Sequence, residues 1–133
     1  MADRGMYHGA ENTPGVRYIE FKFFVDGANP PTNPGNPQNL FIASFVRVSQ
    51  GLFRLTLADA WKIHCGTSCE LNVNAGGTQR WAQPGPIANF GTATPATVDI
   101  FIVDNSSAVQ DPAAANANNF ISGTIIVCDS GQV

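Results

Sequence analysis

Charged residues are scarce in this sequence. They make up only 13% of its 133 residues, and the formal net charge is -3. The Lys and Arg residues are scattered and form no basic stripe, so we expect no nucleic-acid binding through phosphate neutralisation. A surface with so little charge also suggests that a partner or further copies of the chain cover part of it.

Long apolar runs are missing too. No segment approaches the length of a membrane span, and residues 1–10 contain no stretch apolar enough for a signal peptide. We therefore expect no membrane partner, and we expect a soluble, unprocessed chain that is made in a cytosol.

Recognisable catalytic motifs are absent from the sequence. It has no Gly-rich phosphate loop, no Gly-x-Ser-x-Gly elbow, no His-Glu-x-x-His and no EF-hand pattern. The acidic residues Asp99, Asp104, Asp111 and Asp129 have the spacing of strand ends and turns, which predicts turn formers or solvated edges rather than a catalytic carboxylate pair. We predict that the protein is not an enzyme and needs no cofactor.

Cysteine and histidine are few, with three and two residues. His64, Cys65, Cys69 and Cys128 could surround a zinc ion, but the paired Cys-x-x-Cys spacing of structural zinc sites is missing, so we predict no metal. In a reducing cytosol the default is three free thiols, which can be buried as small apolar groups. A particle that leaves the cell could instead oxidise two of them and keep the third for an intermolecular bond. His64 and Cys65 are adjacent in an extended segment and point to opposite faces, which disfavours a catalytic pair.

Glycine and proline, in contrast, are frequent, with 13 and 9 residues beside 44% hydrophobic residues. This composition is typical of short strands joined by tight turns. The chain is long enough to bury a core without a metal or a disulfide. Residues 1–15 are small and polar and predict a flexible N-terminal arm, followed by a single β domain over residues 16–133.

Alternation of apolar and polar residues marks the first strands. Residues 16–25 place Ile19, Phe21, Phe23 and Val25 on one face, which predicts a half-buried strand. Residues 40–49 and 52–57 flank Gln50-Gly51 and predict a hairpin with Phe53, Leu55 and Leu57 facing inward. Residues 97–103 and 120–128 are rich in β-branched residues and predict two strands of an antiparallel sheet, joined by a polar loop.

The remaining segments are less regular. Residues 28–39 carry four prolines and predict an extended surface loop. Residues 58–63 fit either one helical turn or a strand, residues 70–74 predict a short strand, and residues 79–95 predict an irregular segment. The six or seven strands predict an all-β fold, a small antiparallel β-sandwich or barrel with an extended N-terminal arm.

Two segments and two aromatic residues are candidates for binding. The arm of residues 1–15 and the proline-rich loop of residues 28–39 are the expected contact elements. Trp61 and Trp81 could stack on sugar rings, although two tryptophans in a domain of this size are more often core or interface anchors. A rigid β body that displays loops is suited to binding or assembly rather than to catalysis.

The order of these elements resembles that of small virion proteins of tailed bacteriophages, of the type that decorates or cements the capsid or forms short head fibres. The pieces that carry the resemblance are residues 45–59, 97–104, 111–114 and 121–127. The resemblance implies a compact β fold on the exterior of an icosahedral capsid, made in the host cytoplasm. It also implies a homotrimer bound to the major capsid protein where capsid subunits meet, and it brings no catalytic residues.

A different class of function remains open from the sequence. The chain could be a carbohydrate- or receptor-binding module of a phage fibre or of a bacterial surface system, with host glycans as ligands. In that case Trp61 or Trp81 would be the stacking platform.

Overall fold

Antiparallel strands form two stacked sheets in the computed structural model, which describes residues 16–35, 39–72, 79–112 and 119–128. One sheet has the order β1-β7-β4 and the other has the order β2-β3-β6-β5. This arrangement confirms the predicted all-β fold, and of the two predicted architectures it is a sandwich rather than a barrel. The strands are β1 (Val16–Phe24), β2 (Ile42–Ser49), β3 (Leu52–Leu57), β4 (Ile63–Asn72), β5 (Arg80–Ala88), β6 (Thr97–Asp104) and β7 (Phe120–Cys128).

The core lies between the sheets and is built from alternating residues of each strand. Ile19, Phe21 and Phe23 of β1 are buried, as their spacing predicts. The ring of Phe45 in β2 lies 4.5 Å from that of Phe23 and 5.5 Å from that of Phe53. Phe45 therefore joins the two sheets, since Phe23 and Phe53 belong to opposite layers.

The β2–β3 hairpin forms where the sequence predicts it. Gly51 has a φ of 67°, a conformation that glycine adopts without steric cost. Phe53, Leu55 and Leu57 are fully buried, which confirms the predicted inward face of β3.

The prediction of an irregular segment over residues 79–95 is wrong, because residues 80–88 form strand β5. Pro84 and Pro86 lie within this strand, although proline has no N–H group to donate to a strand ladder. β5 is the last strand of its sheet and pairs only with β6, and its register shifts between Pro84 and Ile87. An edge strand with a bulge tolerates proline where a central strand would not.

Strand β4 is longer than the short strand predicted at residues 70–74. It begins at Ile63 and includes the polar run from His64 to Ser68, which carries no apolar alternation. Pairing with the central strand β7 imposes the extended backbone on this run. Residues 58–62 form neither the helical turn nor the strand considered for them.

Strands β6 and β7 do not lie in one sheet, so the prediction of a shared antiparallel sheet is wrong. β6 pairs with β3 and β5, whereas β7 pairs with β1 and β4. Each is a central strand, which explains why both segments read as apolar runs. The polar loop between them therefore crosses from one layer to the other.

The register defines two ends of the sandwich. At the terminal end, Val16 pairs with Cys128, and Ile63 pairs with the other side of Cys128. Residues 1–15 and 129–133 attach at this end, and both lie outside the described residues, as does the predicted arm. The opposite end carries the β2–β3 turn and the start of the β6–β7 loop, and we call it the hairpin end.

The proline-rich loop covers part of the free edge of β1. The side chain of Asn39 accepts a hydrogen bond from Lys22 N at 2.9 Å and donates one to Lys22 O at 2.8 Å. Phe24 exchanges two backbone hydrogen bonds with Thr32. Within residues 28–35 and 39, the loop thus takes the place of a neighbouring strand and protects an exposed sheet edge. Among the described residues, the fold contains no helix that could cross a lipid bilayer.

Candidate functional site

The three cysteines are spread along β4 and β7. Cys69 pairs with Gly123, whereas Cys128 lies five residues further along β7, or about 16 Å at the rise of a β-strand. A disulfide requires Cα atoms about 4.4–6.8 Å apart, so Cys69 and Cys128 are too far apart to bond within one chain. Cys65 and Cys69 lie four residues apart on one strand, at about 13 Å.

The environments of the thiols also differ. Cys65 is exposed at the β4 bulge, whereas Cys128 is buried. Burial raises the pKa of the Cys69 thiol to about 11, so this thiol stays protonated and unreactive near neutral pH. Cys65 is the thiol placed to reach a second molecule, and an intermolecular bond there stays a prediction.

His64 is held beside the core rather than beside a reactive group. Its Nε2 atom lies 2.6 Å from Thr67 Oγ1, and its ring meets Phe90 edge-on at 5.3 Å. Partial burial lowers the pKa of the imidazole, which favours the neutral ring. Residues 16–35, 39–72, 79–112 and 119–128 contain no cluster of three or more His, Cys, Asp or Glu side chains that could hold a metal ion.

The acidic residues near the C-terminus have structural partners. Asp99 receives two hydrogen bonds from Arg54, at 2.7 and 2.9 Å, and Asp111 receives two from Arg47, both at 2.8 Å. The prediction of turn formers or solvated edges is therefore wrong for Asp99, which is 5% exposed. Asp104 is a turn former, because its carboxylate accepts hydrogen bonds from the N–H groups of residues 106 and 108. Asp129 lies outside the described residues.

The two tryptophans have opposite environments. Trp61 is 6% exposed and belongs to the core cluster, as predicted for an anchor residue. Trp81 is 48% exposed on the edge strand β5. Only Trp81 can therefore meet a ligand or a partner, and the sequence pattern did not separate the two.

The distribution of exposed apolar side chains could not be seen in the sequence pattern. Among the described residues, the large exposed ones fall into two groups. The first group lies at or near the terminal end, and the second lies on the outer face of the four-stranded sheet. The first group is Tyr18, Leu40, Phe41, Ile63 and Ile87, and the second is Val46, Val48, Trp81 and Val109.

The terminal-end group follows from strand boundaries. Ile63 opens β4 and Ile87 lies one residue before the end of β5, and these two strands pack at one corner of the sandwich. Leu40 and Phe41 precede β2 at the other side, and Phe41 O accepts a hydrogen bond from Ala58 N at 2.8 Å. Leu40 is 71% exposed. Such positions look like ordinary strand ends in the sequence, and only the topology shows that they share one end.

The sequence matches no family model, no curated protein and no solved structure. The proposed function therefore rests on the residues, on their geometry and on the resemblance of the sequence pattern to phage decoration proteins.

Proposed function

We propose that this protein is a structural binding protein that decorates an icosahedral phage capsid by docking its terminal end on the junctions between capsid subunits. The observation that supports this proposal is the group of exposed apolar side chains at the end where residues 1–15 attach. Exposed apolar patches on small proteins are typical of interaction sites. We take the shell as the proposed partner from the resemblance of the sequence pattern to phage decoration proteins.

Docking would stabilise the shell through non-covalent binding alone. Each square ångström of apolar surface that is removed from water contributes about 25 cal/mol. A protein that binds only the assembled shell shifts the equilibrium toward assembly by mass action. Many copies on one shell then add their effects, so modest affinity per copy is sufficient.

Co-sedimentation with empty shells of the capsid protein encoded in the same genome tests the proposal. We expect Ile87→Glu, and a variant that lacks residues 1–15, to lower occupancy at least about tenfold, because a buried charge or a lost contact weakens docking. Ser68→Glu is the control, since Ser68 is exposed on the edge strand β4, outside both the terminal end and the outer face of the four-stranded sheet. Wild-type protein that does not sediment with shells would contradict the proposal.

A carbohydrate-binding module is the second candidate, and the exposure of Trp81 favours it. A flat indole face can stack on a sugar ring, and Gln83 lies two residues further along the same face of β5. A change in tryptophan fluorescence with host-surface polysaccharide, lost in Trp81→Ala, would support this function over capsid decoration.

A further inference from the structure

The outer face of the four-stranded sheet is unusually apolar over its half nearest the hairpin end. The register places Leu52 beside Phe101 and Gln83 beside the other side of Phe101. Val103 pairs with Trp81 on one side and bridges to Val109 on the other. We call this surface the apolar face; its apolar members are Val46, Val48, Leu52, Trp81, Phe101, Val103 and Val109.

The outer face of the other sheet has a different character. The two middle rows across β1, β7 and β4 are Glu20–Thr124–Ser68 and Lys22–Ser122–Glu70, and the end rows are Tyr18–Ile126–Gly66 and Phe24–Phe120–Asn72. The hydroxyl and charged side chains of the middle rows are typical of a solvated sheet face. The middle of the three-stranded sheet therefore has a polar pattern that the apolar face lacks.

The charges of the apolar face are already paired. Arg54 and Asp99 lie opposite each other on neighbouring strands and form a two-point hydrogen-bonded ion pair. Among the described residues of this face, no other side chain is charged. A surface with Trp, Arg and β-branched residues and no net charge has the composition of an interface core.

The ring of Phe101 extends over Gly85 of the neighbouring edge strand. A Cβ atom added at Gly85 would meet Phe101 Cε2 at 2.9 Å and Cδ2 at 3.0 Å, so the ring covers Gly85 on the edge strand. Glycine at this position lets the aromatic ring sink toward the backbone.

The size of the outer sheet face suits a protein partner. The whole outer face, with four strands about 4.8 Å apart and about eight residues long, has an area on the order of 500 Å², and the apolar face is the half of it nearest the hairpin end. Two whole sheet faces in contact bury about 1,000 Å², about half of it from the apolar faces, and this total reaches the lower limit of a specific protein interface.

We propose that a second copy of this chain covers the apolar face. A two-fold axis parallel to the strands, passing over the Arg54–Asp99 pair, brings β2 of each copy opposite β5 of the other, since these are the two edges of the sheet. Val46 of one copy then faces the segment around Gly85 of the other, Val48 lies beside Gln83, next to Trp81, and each contact occurs twice. The arrangement gives a dimer, in contrast to the trimer that the resemblance implies.

Sedimentation equilibrium in the presence of a reductant tests the pairing, because the reductant removes any bond through Cys65. We expect wild-type protein to form dimers in the micromolar range. Val46→Glu and Trp81→Glu should each raise the dimer dissociation constant at least about thirtyfold, as for a central interface residue. Ile87→Glu is the matched control and should leave the dimer unchanged, because Ile87 lies at the terminal end.

Thermal unfolding of each variant shows whether it is folded. Because Val46 and Trp81 lie on different strands, one variant still tests the pairing if the other does not fold. Wild-type protein that stays monomeric at about 100 μM would overturn the proposal, as would a dimer that resists both substitutions. A trimer that Val46→Glu dissociates would overturn the two-fold arrangement. A monomer whose tryptophan fluorescence responds to oligosaccharide would assign the apolar face to a glycan instead.

Discussion

At the scale of single residues, Gly123 shows how closely the three strands of the smaller sheet approach one another. It lies on β7 between Phe21 of β1 and Cys69 of β4. A Cβ atom there would fall onto the carbonyl oxygen of Ser68 and would meet Phe21 Cζ at 2.9 Å. The phenylalanine ring thus fills the space that a side chain at position 123 would otherwise occupy.

We expect Gly123→Ala to destabilise the protein by about 1–3 kcal/mol, because backbone atoms rather than a flexible side chain must move. Gly66→Ala is the matched control, since Gly66 is also a strand glycine of this sheet and an added Cβ atom there meets nothing within 4 Å. Urea unfolding of both variants gives the free energies of unfolding. Equal stability of the two variants would show that the sheet relaxes around position 123.

The residue scale also shows how little of the candidate sites could be predicted from the sequence. Trp61 and Trp81 have the same residue type, yet one is in the core and the other is exposed. Asp99 resembles a turn residue in the sequence, but its partner Arg54 is 45 positions away. Local patterns contain no information on such partners, because the partners come from other strands.

At the scale of elements, the start of the β6–β7 loop is tied to the β2–β3 hairpin. The Asp111 carboxylate accepts hydrogen bonds from Arg47 and from Gly51 N, the latter at 2.9 Å. Ile102 N also donates to Gly51 O at 2.8 Å. These hydrogen bonds with the Arg47 side chain and the Gly51 N–H hold the pKa of Asp111 below its ordinary value, against the opposing effect of burial.

The lowered pKa of Asp111 makes this tie sensitive to acid. A carboxylate with a lowered pKa in the folded state stabilises the fold above the pKa of the unfolded chain, near pH 4, and this stabilisation is lost as pH falls through the folded value. We expect Asp111→Asn to lower the free energy of unfolding by about 1–2 kcal/mol at neutral pH. The difference from wild type should shrink as the pH falls below about 4.

Urea unfolding of wild type and Asp111→Asn across this pH range measures the effect. Asp59→Asn serves as the control, because Asp59 is an exposed acid in the β3–β4 loop. If the difference in the free energy of unfolding between wild type and Asp111→Asn stays constant with pH, the ionised carboxylate does not stabilise the link between the β6–β7 loop and the hairpin.

At the scale of the whole molecule, the terminal end and the apolar face are separate surfaces. The terminal end presents Ile63 and Ile87 at one corner, whereas the apolar face covers the opposite half of the four-stranded sheet. A two-fold axis parallel to the strands points both terminal ends in the same direction. A dimer would then engage a shell at two points, which raises its apparent affinity without any new type of contact.

This arrangement predicts that shell binding and pairing can be separated. We expect Val46→Glu to weaken the apparent shell affinity through lost avidity while occupancy at saturation stays at the wild-type level. Ile87→Glu should abolish shell binding and keep the dimer. Titration of shells with each variant, combined with sedimentation equilibrium, measures both properties. Loss of both properties in the same variant would show that the two surfaces are one.

The sequence by itself determined the all-β class, the inward faces of β1 and β3 and the β2–β3 turn. These features are local, since alternation and turn chemistry act between residues close in the chain. Only the tertiary structure decided that β6 and β7 lie in different sheets, that prolines fit in β5, and that apolar side chains gather at one end and on one face. Those outcomes depend on contacts between segments that are distant in the chain, such as Arg47 and Asp111, which are 64 positions apart. No local sequence pattern specifies such contacts.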